Sequence, residues 1–316
     1  MTWLRRLIGL LLMVSALALA WVRAPDRPVE TLVARWAPAP SAFIDLRGQL
    51  VHLRDEGPRD DPEPLVLLHG TASSLHTWEG WTKALRATRR VVSFDLPGFG
   101  LTGPFTGAYD RDDYRGDTYA RFVLDVLDQL QLARVVLAGH SLGGEIAWRV
   151  AAAAPRRVSR LILIGATGPA FEPLAEPLAF RLLQAPVLGW LGQHLLPRSL
   201  VVEGLVSAVG DPDRIRSEQV DRHYELALRE GNRQALALRR QQARRGEHAE
   251  RIAGLRLPAL LLWGGRDRWV PAAVGQQFAA LIPGSRLQVF DTLGHIPQEE
   301  DPARTLVPVL AFLGPH

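Results

Sequence analysis

Cysteine is absent from the 316 residues. That removes a disulfide framework, a thiolate nucleophile and any cysteine metal site. Lysine is almost absent too: Lys83 is the only one, so nearly all positive charge is arginine. The net charge is only +4, and no basic tract is interleaved with aromatics, which argues against a nucleic-acid partner. His, Asp and Glu do not recur at metal-ligand spacing, so neither a metal nor another cofactor is expected. Asp95-Leu96-Pro97-Gly98-Phe99-Gly100 lacks a following Gly-Lys-Ser or Gly-Lys-Thr and reads as a pocket-lining turn, not a phosphate cradle. No internal repeat is visible.

What is present suits a globular protein. Hydrophobic residues make up 47% and charged residues 22%, enough for a sizeable core in one large α/β domain with an insertion or in two small domains. Residues 1–22 are set apart. Arg5-Arg6 precede an apolar stretch from Leu7 to Val22, broken by Gly9 and Ser15. Ala18-Leu19-Ala20 offers a small-x-small exit for cleavage as a signal peptide, whereas Trp3 and Trp21 near the two ends suit an uncleaved anchor. The stretch is short for a span of about 20 residues; the anchor is the preferred reading. Either way the remainder is expected to be exported across the cytoplasmic membrane, tethered there or released. Residues 23–41, rich in Pro, Ala and charge, read as a linker, with a short helical pattern from Val29 to Trp36 that can pack on the domain.

From Ala42 the strands begin. Ala42–Leu46 and Leu50–Arg54 alternate as a hairpin. Pro64–Leu68, Arg90–Phe94, Arg134–Ala138 and Arg160–Ile164 are apolar runs of the kind buried inside a parallel sheet. Helices Trp78–Leu85, Thr118–Leu130 and Leu142–Ala154 separate them; Phe122, Val123, Val126, Leu127 and Leu130 keep a helical period. Between Ala166 and about Arg256 no convincing strand appears, and the alternation resumes with Pro258–Trp263 and Leu287–Phe290 before a closing helix, Asp301–Phe312. The expected division is therefore a core of residues 42–165 and 257–316, interrupted by a helical cap of residues 166–256. The cap residues Phe180, Leu182, Leu183, Val187, Leu188, Trp190, Leu195 and Leu196 are expected to bury the cap on the core or to line an apolar pocket. The arginine-rich stretch Arg229–Arg251 reads as a solvated helix face.

The chemistry centres on Gly139-His140-Ser141-Leu142-Gly143. A strand must reverse into a helix in one strained turn, so the neighbours of the serine must be small. Serine needs a base to take its proton, and the base needs a carboxylate to orient it. Ser141, Asp267 and His295 follow in that order, each at the carboxyl end of an expected strand, with Asp291 as the reserve carboxylate. The Leu142 N–H at the helix start can face a developing oxyanion. His69 and His140 are expected to orient loops; His52, His194, His223 and His248 are expected on the surface or cap.

The chain resembles the α/β-hydrolase fold family over roughly residues 40–314. The resemblance rests on His69-Gly70, on Asp95 to Gly100, on Gly-His-Ser-Leu-Gly-Gly at 139–144 and on Gly294-His295. It implies a mostly parallel sheet with helices on both faces and an inserted helical cap. It implies Ser141 as nucleophile, His295 as base, Asp267 as orienting acid, and the backbone N–H groups of Thr71 and Leu142 as the oxyanion hole. Branches of the family that use an aspartate nucleophile do not fit Ser141, and the lipase-type His-Gly-Gly-Gly loop is absent. The expected reaction is hydrolysis of a small-molecule carboxylic ester with an apolar group through an acyl-enzyme. Carbon–carbon bond hydrolysis or cofactor-free perhydrolysis on the same residues is the alternative, and a non-catalytic binding protein on this scaffold is the reading from another class. Oligomeric state is not legible.

Overall fold

The computed structural model describes residues 2–184 and 195–314. Eight strands form one sheet in the order β1-β2-β4-β3-β5-β6-β7-β8. They are β1 (Ala42–Leu46), β2 (Gln49–Glu56), β3 (Leu65–Leu68), β4 (Val91–Phe94), β5 (Val135–His140), β6 (Val158–Ile164), β7 (Ala259–Gly264) and β8 (Arg286–Phe290). β1, β2 and β4 pair antiparallel, and every other pairing is parallel. The β1–β2 hairpin turns at Arg47 and Gly48, both at positive φ (56° and 85°), the combination that a two-residue turn matched to strand twist demands.

The helices are α1 (Thr2–Val22), α2 (Glu30–Trp36), α3 (Glu79–Leu85), α4 (Gly116–Gln129), α5 (Leu142–Ala153), α6 (Leu178–Gln184), α7 (Arg198–Ala208), α8 (Ser217–Ala227), α9 (Asn232–Gln242), α10 (Ala272–Leu281), α11 (Pro297–Glu300) and α12 (Pro302–Leu313). Strands β3, β4, β5 and β7 are buried on both faces, which is why they read as unbroken apolar runs. One face packs on Phe122 and Val126 of α4, Ile146 and Trp148 of α5 and Phe278 of α10. The other packs on Trp81 and Leu85 of α3 and Leu306 and Val309 of α12. Each such buried side chain contributes about 1.5–3 kcal/mol against exposure.

The chain passes from β3 to β4 on one side and then to β5 on the other side of β3. This reversal opens a crevice at the carboxyl ends of β3 and β5. Between β6 and β7 the described residues contribute α6 to α9 and two short 3-10 turns and no strand of the sheet. Val187, Leu188, Trp190 and His194, named above as cap residues, lie outside the described residues.

The segment expected as a linker is docked. Leu32 and Trp36, one helical turn apart on α2, are buried with Leu101 and Leu226. The Trp36 indole Nε1–H donates to Glu225 at 2.7 Å, and Arg35 pairs with Glu225 and Asp221. In α1, Trp3, Leu4, Leu7, Ile8 and Leu10 to Met13 are exposed. The expected membrane-spanning or signal segment gains no support from the helix itself, because among the described residues no helix is long and apolar enough to cross a membrane.

Candidate active site

The loops after β3, β5, β7 and β8 converge on one cavity of about 340 Å³, lined by Thr71, Ser141, Leu142 and His295 among others. Its size falls in the range of small-molecule sites.

Ser141 sits between β5 and α5 at φ 52°, ψ −113°. That conformation is costly for a residue with a Cβ and persists only where the surroundings enforce it. The enforcement is visible. The Ser141 N–H donates to Ile164 O at 2.9 Å, and its carbonyl accepts the Glu145 N–H at 3.0 Å. A Cβ on Gly143 would stand 2.6 Å from the His69 carbonyl, so α5 approaches the β3 loop only because that residue is glycine. Leu142 opens α5, and the N–H at a helix start has no acceptor within its own helix. Gly70 brings the β3 loop against the serine; a Cβ there would lie 3.1 Å from Ser141 Cβ.

Two histidines set these loops. His69 Nε2 accepts the Leu96 N–H at 2.9 Å, which leaves the proton on Nδ1, donated to Gly70 O at 2.8 Å. His140 Nε2–H donates to the His295 carbonyl at 2.8 Å. Burial pushes the pKa of both rings down and holds them neutral.

His295 Nδ1 and Asp267 Oδ2 are 2.8 Å apart, with almost no exposure of either side chain. The other oxygen, Oδ1, accepts the N–H groups of Trp269 and Val270, both at 2.9 Å. The Trp269 ring packs on His295 at 5.0 Å. Asp291 is exposed, so of the two carboxylates considered only Asp267 meets the imidazole.

Several residues differ from expectation. His52 is fully buried, and its Nδ1 lies 2.7 Å from Asp95, which also accepts the N–H groups of Leu75 and Leu101. The Asp95 turn is thus a hub of hydrogen bonds. Burial alone would raise the Asp95 pKa, but His52 beside it prevails and holds the carboxyl below its ordinary range. His223 lies in the segment between β6 and β7, as expected, on α8, where it bonds the Ala72 carbonyl through Nδ1 at 3.0 Å and lines the cavity. Burial pushes it down to about 4. The stretch Arg229–Arg251 is not simply a solvated face: Arg233 and Arg239 are buried. Arg239 donates to Glu145 at 2.7 Å and Arg233 to Asp26 at 2.6 Å. These partners are distant in sequence, so no local pattern announces them. Around the loops that carry Ser141 and His295, the segment between β6 and β7 presents Phe180, Leu196, Leu200, Val201 and Leu205, and Arg239 and Arg240 also line the cavity.

Residues 63–302 match the α/β hydrolase fold family. The chain is 31% identical over 281 residues to a 2-hydroxy-6-oxononadienedioate/2-hydroxy-6-oxononatrienedioate hydrolase of Burkholderia vietnamiensis, covering 83% of this chain and 90% of that protein. It is 34% identical over 256 residues to the dihydrolipoyllysine-residue acetyltransferase component of the acetoin cleaving system of Pseudomonas putida, covering 80% of this chain but only 64% of that one. Among solved structures it is similar to a meta-cleavage product hydrolase from Pseudomonas fluorescens (TM-score 0.71, 24% identity, 86% of this chain and 97% of that one). It is also similar to a bacterial membrane phospholipase A (TM-score 0.73, 24% identity, 99% and 98%).

Proposed function

Because the chain belongs to the α/β-hydrolase fold family, we propose that it is a serine hydrolase that cleaves a bond to a carbonyl carbon. The observation that carries the proposal is the buried His295–Asp267 pair, whose histidine shares one cavity with a serine held at a strained turn.

Ser141 Oγ adds to the carbonyl carbon while His295 Nε2 takes its proton. The negative charge on the carbonyl oxygen is met by the N–H groups of Thr71 and Leu142. Asp267 holds the Nδ1 proton of His295 and stabilises the imidazolium. Collapse breaks the bond to the leaving group, which receives the proton from His295. Water, deprotonated by His295, then attacks the acyl-serine, and its collapse releases a carboxylic acid and restores Ser141.

Two bonds suit this sequence of steps. The sequence puts a carboxylic ester first. The relative that is 31% identical hydrolyses a 2-hydroxy-6-oxo-dienedioate, and it moves a carbon–carbon bond beside a ketone ahead. Arg239 and Arg240 in the cavity wall are already paired with Glu145 and Glu176, so the carbon–carbon reading rests on the relative and not on these cations. The ester reading keeps the apolar wall of Leu196, Leu200, Val201 and Leu205 in its favour. Turnover of a 2-hydroxy-6-oxo-dienoate, followed by loss of its visible absorbance, is to be compared with turnover of p-nitrophenyl esters. Carbon–carbon cleavage predicts at least about tenfold higher kcat/KM for the dienoate, abolished by Ser141→Ala and by His295→Ala. Ester turnover alone would replace the first bond by the second. A folded protein that turns over neither, and that a fluorophosphonate does not label, would sink the serine-hydrolase proposal in favour of a binding protein.

Export and membrane attachment through α1 complete the proposal. The proposal rests on the sequence pattern of residues 1–22; the helix exposes large apolar side chains at positions 3, 4, 7, 8 and 10–13 but is not long and apolar enough to cross a membrane, so attachment would be at the lipid surface. Fractionation of cells producing the full chain or residues 24–316 tests it.

A further inference from the structure

Glu300 closes α11, five residues after His295, and its side chain reaches three backbone N–H groups. The Gly294 N–H donates to Oε2 at 2.8 Å, and those of Gly210 and Asp211 donate to the carboxylate at 3.1 Å. Gly294 precedes the catalytic histidine; Gly210 and Asp211 belong to the cap, just past α7. One carboxylate therefore bonds the cap to the histidine loop.

The same cap segment touches that loop at other points. The His295 N–H donates to Ala208 O. A Cβ on Gly294 would lie 2.5 Å from Gly210 N, so the two backbones are in direct contact. Arg266 donates its own N–H to Leu293 O and its Nη1–H to Gly210 O, both at 2.9 Å. The Trp269 ring that packs on His295 donates its indole N–H to Ser207 Oγ at 3.1 Å. Cap residues Ser207 to Asp211 thus brace both the backbone of His295 and the ring stacked on its imidazole.

We propose that Glu300 is a positioning residue for His295, and that the cap segment Ser207–Asp211 is a working part of the catalytic apparatus. The inference rests on the reading of Ser141 and His295 as nucleophile and base. A carboxylate can accept all these bonds, whereas an amide presents one oxygen and turns an NH₂ group toward an N–H donor. In Glu300→Gln the loop must shift to relieve that contact. A displacement approaching 1 Å in a catalytic group costs on the order of 100-fold in rate.

The test is the second-order rate at which a small fluorophosphonate labels Ser141, because labelling needs the base and not the natural substrate. Glu300→Gln is expected to label at least about tenfold more slowly than wild type while retaining a cooperative unfolding transition above the assay temperature. The proton resonance of the His295–Asp267 hydrogen bond should move or broaden in the same variant, which a purely structural role would not cause. Should that variant fail to fold, Ser207→Ala combined with Arg266→Met removes two side-chain links from the same segment and is expected to slow labelling several-fold. A labelling rate within twofold of wild type in a folded variant, with the resonance unmoved, overturns the inference. Wild-type protein that the probe does not label overturns the nucleophile assignment, and this inference with it.

Discussion

Replacing Asp267 by asparagine changes one atom and should remove nearly all activity through the tautomer of His295. Oδ1 of Asp267 accepts two backbone N–H groups, from Trp269 and Val270, and Oδ2 accepts the Nδ1–H of His295. An asparagine must put its oxygen at the Oδ1 position, since an NH₂ there would face two donors. The NH₂ then points at Nδ1 of His295 and donates to it. The ring proton is driven to Nε2, the nitrogen that in the proposed mechanism receives the proton of Ser141. An enzyme of this type with the wrong tautomer loses about 10⁴ in kcat, or about 5.5 kcal/mol in the barrier. Volume is unchanged, so the fold should survive with an unfolding temperature only a few degrees lower. The assay is kcat at pH 7.5 on whichever substrate wild type turns over, with fluorophosphonate labelling beside it. Asp267→Asn within tenfold of wild type, in a folded protein, would refute the orientation argument. Asp291→Asn should leave the rate unchanged, because that carboxylate is exposed.

Other consequences are as direct. Burial pushes His76 down to about 3, with Arg222, Arg54 and His52 opposing its charge and Asp95 favouring it. Its neutral form is preferred in the native state, so its contribution is intact above the ordinary histidine pKa of about 6.5 and is lost as pH falls toward 3. At pH 4.5 this one residue should cost on the order of 3 kcal/mol of stability, and denaturant titrations of His76→Gln should show a correspondingly shallower loss between pH 7 and 4.5. Glu225→Ala strips the acceptor from the Trp36 indole and from Arg35; it should cost about 1–3 kcal/mol, read as a fall in unfolding temperature. Gly70→Ala inserts a methyl 2.6 Å from His140 Nδ1 and 3.1 Å from Ser141 Cβ. The displaced nucleophile should cut labelling by about 100-fold with a smaller effect on stability. Deleting residues 2–22 should move the protein from the membrane fraction to the soluble one, and an unchanged distribution would refute attachment through α1.

The strands and the serine turn were legible because their causes are local. Buried parallel strands must be apolar on both faces, and a strand that reverses into a helix within one residue needs glycines around it. Those constraints are written at Leu65–Leu68, at Val135–His140 and at Gly139 and Gly143. The helical character of the segment between β6 and β7 followed from the same periodicities. The packing of α2 was half legible: Leu32 and Trp36 lie one turn apart, but Pro- and Ala-rich surroundings disguise the stripe they form.

The surroundings of Ser141, Asp267 and His295 were decided by contacts between residues far apart in the chain. Asp267 and Asp291 both sit at strand ends, and only the folded β7 loop shows which of them meets His295. Glu145 and Arg239 are 94 residues apart, Trp36 and Glu225 are 189 apart, and Glu300 bonds a cap segment 90 residues before it. A buried charge or donor must find a partner somewhere, but sequence alone does not say where. Backbone sterics and hydrophobic periodicity act over a few residues and can be read from the chain. Electrostatic pairing acts through space, and only the tertiary structure brought those groups together.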